Sequence, residues 1–125
     1  MIAGIGVDIV EVSRFQSMLD RYGNRVAEKL LSQSELAQFK QSKQQASFLS
    51  KRFAAKEAAV KALGCGFGQG IWYQTIEVIN LPSGQPLLKF HGQAAARMSR
   101  KHILSSFVSL SDEKNAVVAM VLLEK

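Results

Sequence analysis

Residues 47–64 read SFLSKRFAAKEAAVKALG, and this stretch decides the fold. It is rich in Ala, Leu and Lys, which lose little side-chain freedom in a helix, and holds neither Gly nor Pro before Gly64. The pattern predicts a long helix over residues 47–63 that stops at Gly64, where glycine accepts the left-handed backbone of a helix end. Leu49, Phe53, Val60 and Leu63 form its apolar stripe. Lys56 falls near that stripe, which predicts a partly buried lysine, its charge paired or its stem laid along apolar surface.

N-terminal to this helix, Ser32 or Ser34 suits an N-cap ahead of Glu35 and predicts a short helix beginning near residue 34. Phe15, Met18, Leu19 and Tyr22 recur at helical spacing while Arg14, Arg21 and Arg25 point elsewhere, so a basic amphipathic helix runs from residue 12 until Gly23 and Asn24 interrupt it. Residues 2–10 alternate instead. Ile5, Val7 and Ile9 share one face of a strand, and Gly4, Gly6 and Asp8 share the other. Two glycines beside a carboxylate suit either a closely approaching ligand or a strand packed tightly on a helix.

C-terminal to the long helix, the glycine-rich GCGFGQG (64–70) reads as a flexible connection. A strand over 71–79, a turn at PSGQP (82–86) and a strand over 87–90 predict a hairpin. A helix over 93–102 follows, and the chain closes with strands over 106–110 and 116–123 joined through DEKN. Strands and helices do not alternate as in a doubly wound sheet. The prediction is a single α+β domain over residues 1–125 with a mainly antiparallel sheet.

The chain has 125 residues, 47% of them hydrophobic, enough for one core and one domain. Its apolar start lacks a basic leader and is broken by Asp8, and no apolar run reaches membrane-spanning length, so a cytoplasmic protein without membrane contact is expected. The single Cys65 excludes an internal disulfide and suits a reducing compartment. The net charge of +6 favours acidic partners, whether nucleic acid, phosphorylated metabolite or acidic protein. Ten of the 16 Lys and Arg residues stand at or before Lys61, so the first half is the more basic.

Glu57 and Lys61 lie four residues apart, about one turn along the helix and roughly 40° around it, so both can act on one object. The same spacing also makes an ordinary surface ion pair. Together with Asp8 the two suit metal-assisted phosphate chemistry. Mg²⁺ takes carboxylate and phosphate oxygens and keeps water, and a lysine neutralises phosphate charge. Competing motifs fail: GCGFGQG has no closing Lys-Ser or Lys-Thr and follows a helix, and His91 and His102 lack metal-ligand spacing and read as surface residues. Phe67, Trp72 and Tyr73 read as core aromatics in preference to a base-stacking platform.

GIGVDIVEVSRF (4–15) and RFAAKEAAVKALG (52–64), with the turn from Gly84 to Pro86 and the closing hairpin, resemble the holo-acyl-carrier-protein synthases, the small group of 4′-phosphopantetheinyl transferases. The resemblance implies a homotrimer with active sites in the clefts between subunits. It implies transfer of 4′-phosphopantetheine from coenzyme A to a serine of apo-acyl carrier protein, in support of fatty acid biosynthesis. Asp8 and Glu57 match the Mg²⁺-binding acids, and Lys61 matches the lysine on the coenzyme A phosphates. Gly64, Gly84 and Pro86 fall where coenzyme A contacts are expected. Arg52 lies roughly 140° around the helix from Glu57, so it touches coenzyme A only if a site is shared between subunits and is otherwise structural or on the surface. Asp112 stands where many members have histidine and Gln85 where lysine is usual, which puts two ligand contacts in doubt. The helix with Arg14, Arg21 and Arg25 is expected to dock an acidic helix of the carrier, with Phe15 and Met18 in apolar contact. The alternative is a small basic nucleic-acid-binding module; Asp8, Glu57 and Asp112 count against it, and no recognition motif supports it.

Overall fold

The computed structural model describes all residues, Met1–Lys125. Strand β1 (Ile2–Glu11) leads into helices α1 (Val12–Tyr22), α2 (Arg25–Leu30), α3 (Gln33–Gln41) and α4 (Gln45–Leu63). A 3-10 turn (Tyr73–Thr75), β2 (Ile76–Asn80), β3 (Pro86–Phe90), α5 (Gly92–Arg100), β4 (Ser105–Glu113) and β5 (Ala116–Glu124) complete the chain. An antiparallel sheet in the order β1-β5-β4 covers α4, and β2 and β3 form a separate antiparallel hairpin. The α+β class with antiparallel sheets is the one expected.

The core lies between the sheet and α4. β5 sends Val117, Ala119, Val121 and Leu123 inward against Ala54, Ala58, Ala59 and Ala62 of the helix. Small residues on α4 let β1 come closer still. A Cβ at Gly4 would stand 1.9 Å from the Ala62 carbonyl oxygen, and one at Gly6 would stand 1.9 Å from that of Ala58. The glycines of β1 therefore serve helix packing, the second of the two readings open in the sequence. With that face inward, Ile5, Val7 and Ile9 point out and are 57%, 54% and 68% exposed.

A second anchor is polar. Ser32 caps α3 in a reciprocal box, its Oγ accepting from Glu35 N–H (3.3 Å) while Glu35 Oε1 accepts from Ser32 N–H (2.9 Å). Lys56 is wholly buried, more than the sequence predicted, and donates to Glu35 Oε1 (2.6 Å), Leu30 O (2.7 Å) and Tyr73 O (2.8 Å). Glu35 Oε2 accepts from Val78 N–H (2.9 Å) and Arg52 Nη1 (3.3 Å). Burial pushes Lys56 and Arg52 below their ordinary pKa ranges, and Glu35 opposes that shift. The cluster ties α2, α3 and α4 to the start of the hairpin.

Several elements differ from expectation. The strand expected from residue 71 begins at Ile76, because the Thr75 hydroxyl bonds Trp72 O (2.7 Å) and accepts from Trp72 N–H (3.1 Å), closing a turn. Trp72 is consequently 54% exposed instead of core. Helix α2 was not legible, being six residues long with no side-chain cap bond. The closing strands extend to Glu113 and from Ala116, leaving Lys114 and Asn115 as the loop, with Asn115 Oδ1 accepting from Ser13 N–H at 2.7 Å. α5 ends at Arg100, before the left-handed His102. No helix is long and apolar enough to cross a membrane.

Gly6→Ala is expected to lower unfolding stability in urea by about 3 kcal/mol or more, since a methyl group would overlap backbone that cannot retreat. Gly66→Ala, which meets open space at a negative φ, should change stability little.

Glu77 on β2 accepts from Ser34 Oγ, Ser32 Oγ (2.7 Å) and His91 Nε2 (3.1 Å), and the two serine hydroxyls are the main cause of its pKa falling from 4.5 to about 2. A carboxyl depressed on folding contributes stability above its unfolded pKa and loses it as pH falls through the folded value. Ser34→Ala should therefore be less stable than the parent at pH 7, with the gap closing between pH 4.5 and about 2 in acid-unfolding curves.

Candidate active site

The glycine contact places the acids. β1 runs toward the N-terminus of α4, Gly4 meeting Ala62 and Gly6 meeting Ala58 one turn earlier. Asp8, two residues further on the same face, comes to the turn that holds Glu57. Side chains on a helix lean toward its N-terminus, and Lys61 accordingly reaches back to donate to Asp8 Oδ1 (3.0 Å) and Val7 O (2.9 Å). It pairs with Asp8 and makes no hydrogen bond to Glu57, so the ordinary surface pair on one helix does not form. The lysine side chain is 52% exposed against 15% for Asp8. Its ammonium thus covers the acid and still faces solvent.

Asp8 Oδ2 is buried and has no hydrogen-bond partner, the only such side-chain atom in the chain. A buried carboxylate oxygen left without a donor is costly unless a cation or a donor from outside meets it. Glu57 accepts one hydrogen bond, from the Tyr73 hydroxyl to Oε1 at 2.8 Å. Burial first, then Glu57, push the Tyr73 hydroxyl well above the ordinary tyrosine pKa, with Asp8 adding to the shift and Arg14 opposing it. No cluster of three or more His, Cys, Asp or Glu side chains gathers anywhere, so a cation here would need oxygens from a ligand or water beside the two acids. The donor set is hard oxygen and fits Mg²⁺.

The remaining residues singled out in the sequence lie elsewhere. Gly64 caps α4 in the left-handed conformation (φ 74°), and Arg97 and Lys101 donate to the neighbouring Leu63 carbonyl. Gly84, at φ 91°, and Pro86 border a cleft of about 440 Å³ that Asp112 and Lys51 also line, and Asp8, Glu57 and Lys61 do not reach it. Asp112 makes a long ion pair with Lys51, 3.7 Å. Gln85 holds a turn, its carbonyl accepting from Leu81 N–H at 2.9 Å. Arg52 lines the cleft too. Its buried guanidinium donates to Glu35, to Gln38 Oε1 (2.9 Å) and to Val78 O.

Arg14, Met18, Tyr22 and Arg25 line a groove of about 510 Å³ along α1, while Arg21 stands outside it over the Tyr22 ring. Phe15 corrects the sequence reading: it is fully buried, tilted against Phe53 at 5.1 Å, and is not free to touch a partner. Sequence reasoning missed two residues that shape the site. Glu35 reads in the sequence as a first-turn residue with no buried role, although Ser32 three residues earlier is the pattern of a capping box. Tyr73 reads in the sequence as plain core; no spacing links it to Glu57, 16 residues away.

The model of the 4′-phosphopantetheinyl transferase superfamily matches residues 4–121. The holo-[acyl-carrier-protein] synthase of Pseudoalteromonas atlantica is 49% identical over 123 residues, covering 98% of this chain and 97% of that protein. A crystal structure of holo-[acyl-carrier-protein] synthase from Neisseria meningitidis superposes with a TM-score of 0.94 at 34% identity, over 100% of both chains. That of Helicobacter pylori in complex with coenzyme A gives 0.82 at 29% identity, over 96% of this chain and 99% of that one. Matched along nearly its whole length, with the aligned fold to go with it, the chain belongs to the 4′-phosphopantetheinyl transferase superfamily.

Proposed function

We propose that the chain transfers 4′-phosphopantetheine from coenzyme A to a serine of an apo-acyl carrier protein, releasing holo-carrier protein and adenosine 3′,5′-bisphosphate, in support of fatty acid biosynthesis. The observation that carries the reading is the unpartnered buried oxygen of Asp8 beside Lys61, one helical turn from Glu57. Asp8 and Glu57 would hold Mg²⁺, which when bound neutralises and polarises the diphosphate oxygens. Lys61 is exposed enough to hand its charge from Asp8 to a phosphate oxygen. The serine Oγ forms a bond to the β-phosphorus, the bond from that phosphorus to the bridging oxygen breaks, and Glu57 or a water it orients takes the serine proton. The nucleic-acid reading gains nothing from these acids, which would repel a phosphate backbone.

The assembly proposed is a cytoplasmic homotrimer. Ile5, Val7 and Ile9 form an exposed apolar ladder with Met120 and Phe107 across the sheet, a surface a second copy would cover. That Asp8, Glu57 and Lys61 do not line the cleft at Gly84 and Pro86 supports the same reading. A site completed by a neighbour would set that turn against the adenosine end of coenzyme A, while Gly64 lies next to Lys61's own helix end. The carrier's acidic helix docks along α1 through Arg14, Arg21 and Arg25, with Met18 as the apolar contact.

Three outcomes are expected. Asp8→Asn and Glu57→Gln should each cut transfer by at least about 100-fold, read as the phosphopantetheine mass increment on carrier protein, with unchanged circular dichroism; retained activity removes the metal assignment. Val7→Lys should convert a trimer to monomers in sedimentation equilibrium and abolish transfer, whereas a parent chain that sediments as an active monomer refutes the shared site. Arg14→Glu with Arg21→Glu should raise the carrier KM strongly at low salt and leave coenzyme A binding unchanged, and the parent's carrier KM should itself rise with salt; an unaltered carrier KM in the double variant excludes α1 as the dock.

A further inference from the structure

Helix α4 grips Tyr73 from two consecutive residues. Lys56 donates to its carbonyl at 2.8 Å, and Glu57 accepts from its hydroxyl at 2.8 Å. The ring between these two ends is clamped by stacking on Phe67 at 3.9 Å and Phe53 at 5.8 Å. Glu57, by contrast, has little else to hold it. Lys61, its partner by helical spacing, is drawn off to Asp8 and Val7, and the Tyr73 hydroxyl is the only hydrogen-bond donor its carboxylate meets. A long side chain with several rotatable bonds is thus fixed through one oxygen, and the other oxygen makes no bond within the chain.

That asymmetry bears on which cation the acids accept. Mg²⁺ requires a compact octahedron and takes one oxygen from each carboxylate, whereas the larger Ca²⁺ takes six to eight oxygens and readily accepts a carboxylate through both. We propose that Tyr73 is a positioning residue whose hydroxyl occupies Glu57 Oε1, leaving Oε2 alone for a divalent cation and so favouring Mg²⁺ over Ca²⁺. The proposal rests on the reading of Asp8 and Glu57 as the cation's holders. It assigns Tyr73 no contact with substrate.

Tyr73→Phe keeps the ring, the stack and the backbone carbonyl and removes only the hydroxyl. Mg²⁺ and Ca²⁺ affinities of the full-length parent and variant, with coenzyme A present and no carrier protein, are read by competition against Mn²⁺ followed by electron paramagnetic resonance. Mg²⁺ binding is expected to weaken by roughly tenfold, as for loss of a group that orients a ligand. Ca²⁺ binding should change much less, so the affinity ratio moves toward Ca²⁺. A purely structural tyrosine would lower both affinities together or neither, and either result, or a ratio displaced toward Mg²⁺, overturns the proposal. Glu57→Gln separates the two layers of the argument. If it loses both cations while Tyr73→Phe behaves as the parent, the metal reading stands and the role of Tyr73 falls; if Glu57→Gln still binds both as the parent does, the metal reading fails and the proposal with it.

Discussion

The backbone of β1 lies directly on the backbone of α4, and this contact exists only because residues 4 and 6 have no Cβ. Everything at the site follows from the spacing it sets. An ordinary strand side chain would hold the two elements apart, and Asp8 would then project into the gap beyond the reach of Lys61. With the elements pressed together, one face of the strand carries two glycines and a carboxylate, and the carboxylate meets the helix with one oxygen bonded and the other left bare. The same contact turns Ile5, Val7 and Ile9 outward. Close packing inside the protomer and apolar surface outside it are therefore two consequences of a single alternating pattern.

The polar interior has a different part. Removing Glu35, Lys56 and Arg52 from water is expensive, and a buried ion cluster of this kind is weak evidence of net stability. What the cluster does supply is position. Glu35 meets four donors, from Ser32, Lys56, Arg52 and Val78, and Lys56 additionally holds the carbonyls that end α2 and open the 3-10 turn. Apolar side chains would allow these elements to slide over α4, whereas directional bonds hold them in one register. Tyr73 stands at the end of this chain of constraints, and through it the interior reaches Glu57.

Charge is distributed to match. The groove along α1 carries Arg14 and Arg25 at its rim, with Phe15 and Phe53 beneath, and the guanidinium of Arg14 lies 5.7 Å and 5.5 Å from those rings. A cation resting on aromatic faces stays hydrated on one side and is held in place on the other. The surface that follows β1 in the chain is thus basic, with the Arg14 cation held over aromatic rings.

Much of this was legible in the chain itself. The helix ending at Gly64, the strand with Gly4, Gly6 and Asp8 on one face, the basic helix after it and the antiparallel class all follow from local periodicity and from the special backbone freedom of glycine. Asp8, Glu57 and Lys61 were singled out by residue type and spacing. The structure alone decided the partners. That Lys61 bonds Asp8 and not Glu57, that Phe15 is buried instead of offered to a partner, that Arg52 turns inward to Glu35, and that Tyr73 closes on Glu57 are contacts between residues remote in sequence. Periodicity reports which face a residue occupies on its own element; what that face meets depends on how elements pack, and only the tertiary structure sets that.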